Sequence, residues 1–406
     1  MSKVLVKTDI TKKFLGAVLL IAGVSIGSGM LGMPIATGFA GFVPSLFVMA
    51  ITWASLLFTG FLMVDVNIQH PGNIVTMAKN TLGSTGRIFS WITFLFLLYA
   101  LDVAFLAAGG KILGALFPKI PHSLFPFLIA APLAIVLSLG IHATDWVNRI
   151  LVVGKLLVGY GVLVFLVPSH VEMALLKHVD LYIIPFTLPV IVQAFGFHTV
   201  IPSIVNYLDR DVSKIRLSLL LGNLIGFLVY LFWEFLVLGV VPVTGPASIA
   251  SAYSAGDVAT TPLIQILHSP LISMGATIFA LCGMGTAYLG VTLGLMGFLT
   301  DGLKVSDHPS RKWISQLLTF APPLVFVFVA PTVFLSALSY AGALVAIIFG
   351  LFPIFMAWKL PETSYWKGGV GKYLLLGASL FFLVTIVFDL LSQCGVFIEP
   401  IQKYLG

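Results

Sequence analysis

Gly23-Val24-Ser25-Ile26-Gly27-Ser28-Gly29-Met30-Leu31-Gly32-Met33-Pro34 lies inside an apolar run that extends from Phe14 to Phe42. Glycine weakens a helix and proline removes a backbone donor, so this run is expected to open at Gly23–Gly29 and again at Gly32 and Pro34. In lipid, opened backbone is tolerated only where protein or a wet cavity covers it. About 170 residues later, Gln193-Ala194-Phe195-Gly196-Phe197-His198, followed by Pro202, interrupts a second apolar run. Matched interruptions in two halves of a membrane chain mark the binding site of a transporter.

The composition requires a bilayer as solvent. Hydrophobic residues make up 59% of the 406, charged residues 9%, and the mean hydropathy is +1.10. No soluble domain hides that much apolar surface. Apolar spans are expected near 14–36, 43–66, 88–117, 122–141, 147–168, 183–207, 216–241, 270–300, 314–330, 332–357 and 371–393. With the gaps numbered alternately from a cytoplasmic N-terminus, the inner side collects 16 of the 21 Lys and Arg residues and the outer side only Lys111, Lys119, Lys177 and Lys403. That asymmetry predicts N-in, C-out, and it makes the net charge of +6 a topology device rather than a nucleic-acid patch. Cys282 and Cys394 fall in apolar spans and are expected to be buried thiols, not a disulfide or metal site. Residues 73–79 are expected to form a short interfacial helix. No gap between spans is long enough to carry a soluble domain.

Eleven spans with breaks in the first and sixth divide into two five-span halves, 14–168 and 183–357, plus an extra helix at 371–393. A repeat of five flips orientation, so the second half is inverted. Gly27-Ser28-Gly29-Met30-Leu31-Gly32 formally matches the dinucleotide fingerprint, but that motif requires a preceding strand and a soluble helix. Close packing through small residues is the competing structural reading. An unwound turn explains more: it exposes amides at one half-helix N-terminus, where the dipole favours a carboxylate, and carbonyls at the other half-helix C-terminus, which suit an ammonium. A zwitterionic amino acid needs both.

Lys155 is the basic residue inside a span. Such a placement is costly, so it marks a pathway or a partner unless the chain snorkels to the interface; it lies about two turns beyond Arg149. His198, beside the second break, has an ordinary pKa near neutrality and is the alternative proton handler. Asp102, Glu234 and Asp389 are the acids within spans. Asp102 and Glu234 stand open between site and structural pairing, and Asp389 is expected to be structural or near the outer surface.

Gly23–Met30 with Pro34 resembles the first-helix signature of the amino acid–polyamine–organocation superfamily. Ala194-Phe195-Gly196-Phe197-His198 followed by Ile201-Pro202-Ser203-Ile204 is similar to the sixth helix of the hydroxy/aromatic amino acid permeases. Asn148-Arg149 with Lys155, and Tyr99 with Gly109-Gly110, fit the same family. The resemblance covers nearly the whole chain and points to the bacterial tyrosine- and tryptophan-specific branch. It implies an all-α integral membrane protein of about eleven helices in the LeuT-like fold, a 5+5 inverted repeat with helices 1 and 6 unwound mid-membrane. It also implies a site in which the substrate carboxylate meets the amides of Gly27, Ser28 and Gly29. The ammonium meets carbonyls of Val24, Ser25, Gln193, Ala194 and Phe195; Gly196 supplies flexibility, Phe195 and Phe197 supply aromatic walls, and Tyr99 closes the site. In proton-coupled relatives a fifth-helix lysine stands where sodium binds, beside the first break, so Lys155 is expected to couple the proton, since burial favours the neutral form of a lysine. Thr286 is expected to hydrogen-bond near it.

The implied function is proton-driven import of an aromatic L-amino acid, tyrosine first, across a bacterial inner membrane. Tryptophan or serine/threonine carriage on the same fold, or sodium coupling, are the alternatives. The expected partners are the amino acid, a proton and membrane lipid, with no cofactor, metal or nucleic acid. A channel needs a continuous polar lining, a membrane enzyme needs a catalytic constellation, and a primary pump needs a nucleotide-binding motif; the chain shows none of these.

Overall fold

The computed structural model describes residues 2–27, 29–302, 312–361, 368–396 and 398–405. Ser28 of the first break, and Lys304, Arg311 and Lys367 among the inner-side basic residues, lie outside these. The described chain is all-helical. Helices α1 (Ser2–Ser25) and α2 (Gly29–Thr37) form one bent span whose two parts meet at 50°. There follow α3 (Phe42–Gln69) and α4 (Ile74–Leu116), then α5 (Phe125–Ser138) and α6 (Ile141–Val153). A π-helical turn, Gly154–Tyr160, joins α6 to α7 (Gly161–Leu166). The second interrupted span comprises α8 (Ile184–Ala194) and α9 (Ile201–Tyr207), and α10 (Val212–Leu238) follows it. Two short helices, α11 (Ile249–Ala255) and α12 (Thr260–Leu267), precede α13 (Pro270–Gly302) and α14 (Lys312–Val329). A second π-helical turn, Ala346–Leu351, links α15 (Phe334–Val345) to α16 (Phe352–Trp358). The chain ends with α17 (Val370–Gln393) and α18 (Ile398–Leu405).

Among the described residues, eight helical stretches are long and apolar enough to cross a bilayer, or nine with the bent pair counted as one span. The expected spans at 122–141 and 314–330 appear as shorter apolar helices, His122–Ser138 and Trp313–Val329. The expected interfacial helix at 73–79 becomes the first turns of α4. Asn73 caps it by accepting from the Thr76 amide, and Gly83, at φ 77°, takes the non-helical kink that separates it from the span.

Three expectations need correction. Gly23, Val24 and Ser25 remain helical at the end of α1, so the opening begins only after them. Gly32 and Pro34 do not interrupt the first span; α2 runs through both. Pro34 cannot donate to the Met30 carbonyl one turn back, and the Trp233 indole N–H takes that carbonyl instead, so the missing donor leaves nothing unsatisfied. Cys394 is exposed at the C-terminal end of α17 rather than buried, while Cys282 is half-buried.

The helices assemble in two groups. In one, α1, α2, α3, α8, α9 and α10 pack on one another; in the other, α4, α5, the first π-helical turn, α13 and α14 do. α15 touches both, against α4 and α8. Both interrupted spans therefore belong to the first group, and the lysine-bearing turn belongs to the second.

Candidate functional site

The last regular bond of the first half-span is Ile26 N–H to the Ala22 carbonyl, 2.9 Å, and on the far side the Met30 amide reaches the Gly27 carbonyl only at 3.5 Å. The Ile26 carbonyl, left without a helical partner, accepts from Lys155 Nζ at 3.0 Å. Lys155 is 5% exposed and sits in the π-helical turn, where an additional residue per turn shifts the side chain out of α-helical register. Its stem lies over Gly283, and Cys282 of α13 packs beside the turn at Gly154. Lys155 therefore does not snorkel. It places a cation at the carbonyl end of α1, where the helix dipole favours one, and it connects the two helix groups. Ser25 is also buried and donates to Asn223 Oδ1, 3.1 Å, while the Asn223 amide is held by the Leu219 carbonyl, 2.9 Å. Val24 and Gly27 are half-buried.

At the second break α8 ends at Ala194, and Phe195, Gly196 and Phe197 leave the helical path before a single turn at His198–Val200 leads into α9. The Gly196 amide turns back to the Gln193 carbonyl, 3.2 Å. Gln193 is half-buried, with its side-chain Oε1 buried and without a partner. The Ala194 carbonyl accepts from the Tyr230 hydroxyl, 3.3 Å. Phe195 packs on Tyr230 and Phe227, with ring centroids 5.2 and 6.1 Å away, and Phe197 packs edge-first over Gly60 of α3. His198 is fully buried, stacked on Phe349 at 5.1 Å, with Nε2 3.0 Å from the Thr59 hydroxyl. The Thr59 hydroxyl also lies 3.1 Å from the Leu56 carbonyl, and His198 Nδ1 is left without a partner.

The two breaks meet. A Cβ on Gly29 would lie 2.6 Å from Ala194 Cβ and 2.8 Å from its Cα, with the Tyr230 hydroxyl at 3.1 Å. Half-helix ends from both interrupted spans thus pack together beside the Tyr230 hydroxyl, and the Lys155 ammonium holds the Ile26 carbonyl of the same first break. Tyr99 stands apart: its hydroxyl donates to the Leu318 carbonyl of α14, 2.7 Å, and its ring packs with Leu98, Leu295 and Leu299. Thr286 bonds the Gly283 carbonyl of its own helix, 2.9 Å, next to the Lys155 stem. Glu234 Oε2 pairs with Thr37, 2.8 Å, and Asp389, 1% exposed, accepts from Ser339 at 2.6 Å and ties α17 to α15. Asp102 pairs with Thr292 of α13. Among the described residues no three His, Cys, Asp or Glu side chains converge as a metal site would require.

Sequence reasoning placed α10 as the span 216–241 but missed the residues by which it meets the breaks. Asn223, Gly226, Tyr230 and Trp233 face the two interrupted spans: Asn223 holds the Ser25 hydroxyl, Gly226 makes room for the Ser25 side chain, Tyr230 caps Ala194 and Trp233 caps Met30. Their spacing of three, four and three residues places them along one helix face, and an Asn with two polar-tipped aromatics on one stripe of a membrane helix was the available signal.

Comparison with known proteins places the chain. Tyrosine-specific transport system 2 of Haemophilus influenzae is 31% identical over 396 residues, covering 94% of this chain and 97% of that protein. Tyrosine-specific transport system 1 of the same organism is also 31% identical, with 93% and 95% covered, and its tryptophan-specific transport protein is 28% identical, with 94% and 97% covered. Among solved structures, that of the Eremococcus coleocola manganese transporter superposes with a TM-score of 0.58 over 97% of this chain and 92% of that one; at 16% identity the likeness is one of fold. With a family profile matching residues 10–393 end to end, this multi-pass membrane chain belongs to the tryptophan/tyrosine permease family.

Proposed function

We propose that the protein is a proton-coupled symporter that imports an aromatic L-amino acid, tyrosine first, across a bacterial inner membrane by alternating access. The observation that carries the coupling is the Lys155 ammonium on the Ile26 carbonyl, 3.0 Å, at the end of the first half-span. A protonated lysine bridges the two helix groups there. The neutral amine, with its charge gone, holds that carbonyl weakly and lets the groups part. Proton loading on Lys155 is thereby tied to the geometry of the break. The substrate carboxylate meets the amides of Gly27, Ser28 and Gly29, the ammonium meets carbonyls of Val24, Ser25, Gln193, Ala194 and Phe195, and Gly196 lets the second break flex. Phe195 and Phe197 supply the aromatic walls, and His198 stands second to Lys155 as proton handler.

The architecture proposed is the LeuT-like one, with repeats at 14–168 and 183–357, an extra helix at 371–393 and eleven crossings. Parity supports the count. Lys13, before the first span, pairs with Asp209 after the sixth, and Asp180, after the fifth, pairs with Lys403 after the last. Each pair must share one side of the membrane, so an even number of crossings separates its members. That number is even only when the short helices at 122–138 and 313–329 both cross. The basic residues then set N-in, C-out.

Uptake of labelled tyrosine into proteoliposomes tests the reading. Tryptophan and phenylalanine are expected to compete, serine and threonine to leave uptake unchanged, and replacing sodium with choline to have no effect. Competition by serine or threonine equal to that by tryptophan, or a steep sodium requirement, overturns it.

A further inference from the structure

Five ion pairs join described residues: Lys13–Asp209, Arg149–Asp145, Lys214–Asp211, Arg216–Asp65 and Lys403–Asp180, all at helix ends or in loops. Asp102 is of another kind. It lies near the middle of the membrane part of α4 and is 0% exposed. Its Oδ1 accepts from the Thr292 hydroxyl of α13 at 3.0 Å, and its Oδ2 is buried with no partner. One turn earlier on the same face of α13, Tyr288 is 1% exposed, and its hydroxyl is also buried without a partner. A carboxyl oxygen and a phenol, both unsatisfied, thus flank one hydroxyl at the contact of two central helices.

Among the described residues no cation faces this carboxyl. On its own helix Tyr99 is engaged with Leu318, and Lys111 is about 13 Å along the axis. α5 and α16 contain no acid or base, α14 contributes only Lys312 at its start, and the Tyr340 ring of α15 is 44% exposed. On α13 itself, Cys282 lies against the lysine-bearing turn, and Asp301 is exposed at the far end. His122 packs at Gly114, three turns away. An ionised carboxylate with a single hydrogen bond and no counter-charge at this depth is costly, so the group here is the neutral acid. The same surroundings can receive the anion: Thr292 already donates to one oxygen, and Tyr288, one turn away on α13, carries a buried O–H with no partner.

We propose that Asp102, with Thr292 and Tyr288, forms a proton-binding site of the transport cycle separate from Lys155. The carboxylic acid gives its proton to water when water gains entry between α4 and α13, the two hydroxyls hold the resulting carboxylate, and reprotonation from water restores the neutral acid. The inference rests on the proton-coupled reading and adds a second carrier to it.

The test is Asp102→Asn in proteoliposomes, which keeps shape and hydrogen bonding but cannot ionise. Tyrosine counterflow at fixed pH is expected to stay within about threefold of wild type, while accumulation driven by a proton gradient falls about tenfold or more and the proton-to-substrate ratio drops. Tyr288→Phe and Thr292→Val, which leave the carboxyl in place, are expected to move the pH profile of uptake by about half a unit or more. If Asp102→Asn accumulates tyrosine with the wild-type ratio, the inference fails and the coupling role of Lys155 stands. If wild-type accumulation ignores the proton gradient, the proton-coupled reading itself fails. Should Asp102→Asn not insert, unchanged pH profiles in both hydroxyl variants overturn the proposal.

Discussion

Gly29 has no room for a side chain, and Gly27 has. A methyl at Gly29 would overlap Ala194 at 2.6 and 2.8 Å, whereas at Gly27 its nearest neighbour is the Val24 carbonyl at 3.6 Å. Gly29→Ala is therefore expected to push the two breaks apart and lower thermal stability, while Gly27→Ala leaves it unchanged; a melting experiment on purified protein distinguishes them. Gly27→Leu fills the space that the proposed site gives to the substrate carboxylate, and it is expected to abolish tyrosine binding in a protein that still inserts. Wild-type affinity in that variant removes the first break from the site. Phe197 is 1% exposed, and its truncation is expected to cost about 3–5 kcal/mol of stability, as for other buried aromatics. If its ring also walls the substrate, Phe197→Ala weakens tyrosine by about 2 kcal/mol and serine far less; equal losses for both contradict the wall. Lys155 was readable in the sequence because a lysine inside an apolar span is anomalous on its own. Tyr230, Trp233 and Asn223 were not singled out, because a lone aromatic or amide in a span is ordinary and only the partner carbonyls across the bundle give them meaning.

α18 is a small element with a defined anchor. Lys403 and Tyr404 both bond Asp180, whose side chain is 7% exposed, and the Tyr404 ring packs on Phe39 and His178. The Asp180 amide donates to the Ala40 carbonyl, so the C-terminus, the loop before the sixth span and the end of the first are linked. Burial pushes the Asp180 carboxyl up, but the hydrogen bonds from Lys403 and Tyr404 and the ammonium charge outweigh it, and the group is held below its ordinary range. A carboxyl held low contributes stability above its unfolded-state range and loses it as pH falls through the folded value. Lys403 is held above the usual lysine range, mainly by its bond to Asp180, so its share is present below that range and lost as pH climbs through the raised value. Docking of α18 should thus hold across neutral pH and weaken at either extreme. Hydrogen exchange at 398–405 reads this directly, and Asp180→Asn should raise exchange there at every pH. Unchanged protection in that variant contradicts the anchor. The same scale shows why a breaker signal is incomplete. Gly27 and Pro34 are both breakers by composition, yet only the first opens the helix, because Trp233 supplies the donor that Pro34 lacks. That supply comes from α10, some 200 residues along the chain, beyond any local reading.

The whole molecule is two packed helix groups bridged by α15, with Lys155 adding a hydrogen bond between them at the first break. Span positions followed from hydropathy alone. The two short helices at 122–138 and 313–329 were expected as spans too, but they are too short to settle a crossing by length, and the proposal that both cross leans on the ion pairs between distant loops. The proposed topology of eleven crossings and an inner N-terminus puts Cys394, exposed at the end of α17, on the outer side. In a Cys282→Ser background, a membrane-impermeant maleimide is expected to label it in intact cells, and labelling confined to inverted vesicles contradicts the topology. The central claim is that proton loading on Lys155 drives accumulation through the first break. The most direct measurement imposes an inward proton gradient on proteoliposomes and compares labelled tyrosine accumulation in wild type and Lys155→Met, with counterflow at equal pH as the control for an intact site. The account predicts that wild type concentrates tyrosine, that Lys155→Met does not, and that counterflow survives in both. Wild-type accumulation with an unchanged pH profile in Lys155→Met would contradict it.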